Sequence, residues 1–420
     1  MNRIQRPIHR LCVQWTRLGP YHLARLAASH AAGEASGRRV IALETAGGDT
    51  TYAWQQERGE TPYPREVIFP DRNYEELDSA SIHRGVTVAL DRIDPDAVAI
   101  TSYSTPDARA CLLWCRRHGR PAILMTETKE DDADRISWRE VVKQSLVGLY
   151  DAALVGGAPQ RAYLEKLGMP AKAIFLGFDA VDNRFFADGA DAARASPESC
   201  RHLAGLADPS PFFLASNRFI PRKNLGRLIE AYGQYRRQEA APWRLLLLGD
   251  GQERPALEAL VRALGIEGVE FCGFQQINAL PAYYGRAGAF IHPALVEQWG
   301  LVVNEAMAAG LPVLVSERAG CAPDLVRQGV NGFTFDPLNT AELARLLGVI
   351  SRSAHDRAGW GAASRVIVAE WSPGRFASGL WAAADAAALR RTAGAPLSLA
   401  LLWTIQRLGR RVHSFHSLRD

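Results

Sequence analysis

Short apolar runs alternate with helical periods along this chain, and the whole alternation occurs twice. The first series predicts strands at residues 11–15, 40–43, 67–69, 97–102, 122–126, 152–155 and 174–178. Helical periods fall between several of them, at 21–32, 106–118 and 138–148. Strands this apolar are buried on both faces, which a parallel sheet covered by helices achieves. The second series predicts strands at 212–215, 244–248, 269–272, 289–292 and 313–315, with helices near 224–237, 254–264, 280–286 and 302–309. The expected fold class is α/β, with two Rossmann-like, doubly wound parallel-sheet domains.

A chain of 420 residues exceeds one ordinary core, which also argues for two domains. Residues 187–211 are rich in Ala, Ser, Asp and Pro and read as the linker. The first domain is expected over 1–190 and the second over 208–372. A long helix is predicted at 371–388, and residues 397–420 read as a basic amphipathic tail, suited either to a membrane interface or to packing. The polar stretch 45–64 reads as a long loop, open to acceptor contacts or to plain surface.

Composition sets the class of partner. Hydrophobic residues at 47% and charged residues at 22% fit a soluble globular protein, and a net charge of +4 fits anionic substrates or a membrane surface. No basic run is interleaved with aromatics, so nucleic acid is not an expected partner. The six cysteines form no CxxC pair, so structural zinc is not expected and a reducing, cytoplasmic setting is. The basic start MNRIQRPIHR leads into no apolar h-region, and no run approaches the ~20 apolar residues of a spanning helix. Neither a signal peptide nor a membrane span is expected, although the tail can make peripheral contact.

Residues 290–312, FIHPALVEQWGLVVNEAMAAGLP, predict a buried strand ending at His292, a loop containing Gly300, and a helix closed by Gly310. Such a turn offers an anion the unpaired N–H groups of Gly300, Leu301 and Val302 and the positive end of the helix dipole. Glu297 falls in the loop and Glu305 inside the helix, with seven residues between them. Carboxylates accept hydrogen bonds, so this pair suits hydroxyls on either side of a diphosphate, a sugar on one side and a ribose on the other. Upstream, NRFIPRKN places Arg218 and Lys223 in a strand-to-helix loop, where open α/β sheets bind ligands and where two cations suit a diphosphate. Gly249 and Gly251 follow a buried strand in LLLLGDGQE; they permit close approach of a ligand, or simply a tight turn. Near the N-terminus, Gly19 and His22 occupy the first strand-to-helix turn. Glu127 follows a strand end, where it can orient an acceptor hydroxyl or stand as an exposed carboxylate.

The E-x7-E spacing within VEQWGLVVNEAMAAGLPV resembles the donor-site motif of glycosyltransferase family 4, retaining enzymes of GT-B fold. The similarity covers the C-terminal half, including SERAGCAPDLV and GVNGFTFDP, and is much weaker before it. The resemblance implies that Arg218 and Lys223 neutralise the leaving diphosphate. It also implies that Glu297 contacts donor-sugar hydroxyls, Glu305 grips the ribose and Phe274 holds the base. An active site between the domains would follow, with the acceptor on the first domain beside Gly19, His22 and Glu127 and the last helices crossing back over 373–396. No metal and no cofactor would be needed beyond the nucleotide diphospho-sugar as co-substrate. The expected reaction moves a hexose-type sugar from a UDP- or GDP-sugar to a saccharide or lipid-linked acceptor in surface polysaccharide or lipopolysaccharide assembly. Two departures stand out: Trp299 where the family commonly has Phe, and Thr126, Glu127 and Thr128 where many members place a His.

Two other classes stay open. A non-catalytic partner protein of the same fold would show degenerate donor residues. A sugar-nucleotide epimerase would need several ionisable groups clustered at the donor's anomeric side, and none is evident in sequence beside the motif.

Overall fold

The computed structural model describes residues 7–50, 59–390 and 396–408. The chain divides into two compact units, Met1–Ala180 with Pro373–Arg419, and Val181–Ser372.

The first unit is built on seven strands: β1 Arg10–Trp15, β2 Arg39–Gly48, β3 Arg65–Asn73, β4 Ala97–Thr101, β5 Ala122–Thr126, β6 Ala152–Val155 and β7 Ile174–Leu176. They pair in parallel in the order β3-β2-β1-β4-β5-β6-β7, so the order reverses at β1 and β4. Successive side chains of a strand point to opposite faces, and each face feeds its own core. Cys12, Leu43, Val98 and Leu124 pack beneath helices Ser79–Ile93 and Pro106–His118, whereas Leu11, Val13, Ala99 and Ile123 face Phe376, Leu380 and Trp381.

Those last three side chains belong to helix Pro373–Leu389, which packs on helix Pro20–Glu34. Trp381 Nε1 donates to Ser29 O at 2.9 Å, and Arg38 lies over the Trp381 ring while pairing with Asp385. Burying each large apolar side chain stabilises by about 1.5–3 kcal/mol. In its described part the tail is a helix that packs through one face. Pro396–Leu408 buries Leu402, and Gln406 accepts from Arg109 Nε at 3.0 Å, while Leu397 and Trp403 are exposed. Residues 409–420 lie outside the described residues. Among those described, no helix is long and apolar enough to cross a membrane.

The loop expected from residue 45 begins later, because β2 continues to Gly48. Asp107, fully buried, accepts from Thr45 Oγ1, Thr16 Oγ1, Gln14 Nε2 and Tyr74 OH at 2.8–3.0 Å. A buried carboxylate needs such donors, and recruiting Thr45 keeps the strand in the sheet. Residues 51–58 of that stretch lie outside the described residues.

The second unit holds β8 Phe212–Ser216, β9 Arg244–Leu248, β10 Val269–Gly273, β11 Ala289–His292, β12 Val313–Ser316 and β13 Gly332–Phe335. Their order is β10-β9-β8-β11-β12-β13, all parallel, with the reversal between β8 and β11. The first part of the linker expected at 187–211 is helical instead. Asn183–Ala195 is a helix whose Asp182 cap accepts from Phe185 N at 3.1 Å, and it buries Phe186, Ala190 and Ala193. Alanine is the strongest helix former, and small side chains let this helix pack closely on Leu280–Arg286. The Ala-rich composition that suggested a linker is what builds this contact.

Candidate functional site

The candidate donor residues lie beyond the carboxyl ends of β8, β9, β10 and β11, neighbours in the second sheet. Open α/β sheets bind ligands at such ends, above all at the reversal of strand order, here β8 beside β11. Asn224, in the left-handed region at φ 60°, ties the loops on both sides of that point. Its buried amide donates to Pro293 O at 3.0 Å and to Pro337 O at 2.8 Å, and Leu295 N donates to Arg222 O at 2.8 Å. Stitched in this way, the loop after β8 presents Lys223 to Glu297.

Lys223 Nζ donates to Glu297 Oε2, and His292 Nε2 lies 2.9 Å from the same oxygen. His292 is completely buried, while the Lys223 and Glu297 side chains are 12% and 14% exposed. Burial alone would raise the Glu297 pKa; the Lys223 charge and the His292 hydrogen bond overcome it and hold the carboxyl well below the usual range. Burial lowers the His292 pKa, against the opposing pull of Glu297, which keeps the ring neutral. A carboxylate, a cation and an imidazole therefore share one oxygen. This corrects the expectation that no ionisable cluster lies beside the motif. Lys223 and Glu297 are 74 residues apart in sequence, and only the fold brings them together.

Gly300, at φ 105°, starts helix Leu301–Ala308, and a Cβ there would come within 3.4 Å of both His292 Nε2 and Glu297 Cγ. The first N–H groups of a helix, here those of Leu301 and Val302, have no acceptor within it, so the positive helix end lies beside the cluster. Trp299, fully buried, donates from Nε1 to Asn304 Oδ1 at 2.9 Å and packs on Trp371. Trp in place of Phe thus adds a hydrogen bond under the loop. Glu305 is also fully buried and accepts from Tyr284 OH at 2.6 Å.

Arg218 is half-buried just past β8. The two glycines after β9 serve the chain itself: a Cβ on Gly249 would lie 1.8 Å from Asn217 O, and one on Gly251 would lie 2.5 Å from Phe219 O. The close approach seen here is to the Arg218 loop, as in the tight-turn reading. Phe274 is 40% exposed beyond β10 and so is not a core aromatic.

In the first unit, Gly19 is the cap residue of helix Pro20–Glu34, and its N–H donates to His22 Nδ1 at 2.8 Å. Burial, with Arg25 and Arg17 nearby, pushes the His22 pKa down to about 3. His22 is a neutral capping group. Glu127 is half-buried after β5, where Thr126 Oγ1 donates to Thr128 Oγ1 at 3.1 Å.

Sequence reading missed His292, Asn224 and Tyr284. A polar end on the otherwise apolar run FIH was the one available signal for His292; nothing local marked the other two.

Residues 201–366 match the family model described as Glycosyl transferases group 1. A GDP-mannose-dependent alpha-(1-6)-phosphatidylinositol monomannoside mannosyltransferase of Mycolicibacterium smegmatis is 30% identical over 42% of this chain and 49% of its own. A D-inositol 3-phosphate glycosyltransferase of Nocardia farcinica is 29% identical over 56% of this chain and 52% of its own. The chain thus matches about half the length of each of these relatives. Among solved structures, Anabaena HepE in complex with UDP and glucose superposes with a TM-score of 0.66 at 16% identity, over 88% of this chain and 98% of that one. Residues 201–366 are thus similar to glycosyl transferases group 1, and the fold is GT-B, two Rossmann-like parallel-sheet domains.

Proposed function

We propose that this chain is a retaining, metal-independent glycosyltransferase of family 4 that moves a hexose-type sugar from a UDP- or GDP-sugar to a saccharide or lipid-linked acceptor. The observation that carries the reading is the convergence of Lys223, Glu297 and the start of helix Leu301–Ala308 at the reversal of strand order. In the reaction the bond from the anomeric carbon to the phosphate oxygen breaks and an acceptor oxygen bonds that carbon on the same face. The acceptor proton passes to the departing phosphate. Negative charge grows on the nucleotide diphosphate as it leaves, and Arg218, Lys223 and the helix N–H groups, fixed in advance, stabilise it as it develops. These cations take the part a divalent metal plays elsewhere. Glu297 holds the donor sugar, Glu305 the ribose and Phe274 the base, while Gly19 and Glu127 of the first unit serve the acceptor. The similar proteins include a GDP-mannose-dependent mannosyltransferase and a structure in complex with UDP, so both donors belong in the test. A role in surface polysaccharide or lipopolysaccharide assembly, with Leu397, Trp403 and Arg407 meeting a membrane face from the cytoplasm, completes the proposal.

Thermal shifts with UDP, GDP and their sugars test the donor site. At about 100 times its dissociation constant, a ligand stabilises its domain by about 2.7 kcal/mol. One nucleotide should raise the melting temperature, Arg218→Ala should abolish that rise, and transfer should persist in excess EDTA. No shift with any nucleotide, or a strict metal requirement, would refute the reading. The cluster around Glu297 also keeps a sugar-nucleotide epimerase in view; NMR of the donor incubated without acceptor would reveal an epimer if that chemistry occurs.

A further inference from the structure

Resting on the assignment of Glu297 to the donor sugar, we propose that His292 is the positioning residue for that carboxylate. It ends β11, is completely buried, and stands 2.9 Å from Glu297 Oε2. Its other ring nitrogen, Nδ1, is buried without a hydrogen-bond partner among the described residues. That asymmetry fixes the tautomer. An imidazolium would bury an unpaired Nδ1–H, whereas the neutral ring with its proton on Nε2 spends its only donor on Glu297. His292 is therefore a donor to the carboxylate and not a proton source for the reaction.

The ammonium and the imidazole play different parts on the shared oxygen. Lys223 ends a flexible stem, and its charge is the one the diphosphate attracts. The imidazole is fixed by the strand on one side and Pro293 on the other, and Gly300 closes over it. When Nζ swings to phosphate, His292 keeps Oε2 in place. Both bonds end on Oε2, so Oε1 is the oxygen turned to a sugar hydroxyl. A carboxylate anchored by one oxygen and reading a hydroxyl with the other has a defined rotamer, which positioned catalysis requires.

The test compares His292→Leu, His292→Met and His292→Gln in the full chain, each checked by circular dichroism and assayed well below its melting temperature. Leu and Met fill the space without a donor, and Met adapts to the cavity if Leu does not fold. Loss of one charge-assisted hydrogen bond in the transition state should lower kcat roughly ten- to a hundredfold, with the donor KM changed less than about threefold. Gln places an amide N–H near the Nε2 position and should restore kcat to within about threefold of wild type. A purely structural role would change the melting temperature without that kcat–KM split or its rescue. Normal kcat in the folded Leu or Met variant, alongside loss of transfer in Glu297→Gln, would overturn this inference while leaving the proposed function standing. No transfer by the wild-type chain with any donor would overturn both.

Discussion

Lys223→Met keeps the length of the side chain and removes its charge, so it isolates the ion pair at the centre of the site. Both partners are mostly removed from water, at 12% and 14% exposure, and Glu297 is stabilised as an anion against its own burial. A charge-assisted hydrogen bond in that setting contributes roughly 1.5–3 kcal/mol, less than the 3–5 kcal/mol for breaking a fully buried pair, because some solvent still screens it. In the second unit each kcal/mol shifts the melting temperature by about 2–4 °C, so the variant should melt roughly 3–12 °C lower at pH 7.

The sign of the pH dependence follows from the depressed pKa. Glu297 stabilises the fold above its unfolded value, about 4.3, and loses that contribution as pH falls toward its lower folded value. Without Lys223 the folded pKa rises, so the contribution is already gone at neutral pH. The deficit of the variant should therefore be largest above pH 5 and shrink from pH 4 to pH 3. Urea unfolding of wild type, Lys223→Met, Glu297→Gln and the double variant closes a mutant cycle. A coupling of at least ~1 kcal/mol at pH 7 is expected. Coupling below about 0.5 kcal/mol, or a deficit that does not change with pH, would refute the account of the pair.

Two further variants probe the frame around the pair. Tyr284→Phe removes the hydroxyl that donates to buried Glu305 and should cost about 1–3 kcal/mol of stability in urea melts, with weaker nucleotide binding by calorimetry. Unchanged stability and affinity would remove Glu305 from the site. Gly249→Ala meets both a φ of 120° and Asn217 O at 1.8 Å, so the loops after β8 and β9 must part. It should destabilise by more than about 2 kcal/mol, and a wild-type melting curve would contradict the packing described here.

Much of this architecture is written locally. The run RLLLL of β9 can only be buried, and the helix Leu280–Arg286 lies where the periodicity places it. Strand β13 was not predicted because GFTF is four residues long and half of it is only partly buried. The helix Asn183–Ala195 looked like a linker because its Ala-rich face gains meaning only against Gly285 and its neighbours. The site divides in the same way. Glu297, Glu305 and Gly300 belong to one continuous turn and helix, so spacing exposes them. His292 and Asn224 act through partners reached by loop closure, and Tyr284 acts from another helix; no local pattern carries such contacts. Gly249 was visible with its two readings open, since a sequence shows that room is needed without showing what fills it; in the fold Asn217 O lies there.

The return of the chain at Pro373 bears on the order in which the protein matures during synthesis. Domains ordinarily fold as they emerge, the N-terminal one first. Here the second unit is complete once Ser372 has been made, whereas the first still lacks Phe376, Leu380 and Trp381 from one face of its core. The unit that leaves the ribosome first is thus the last to close. A chain interrupted between the two units at Pro373 would lose core side chains of the unit made first and leave the unit made second whole.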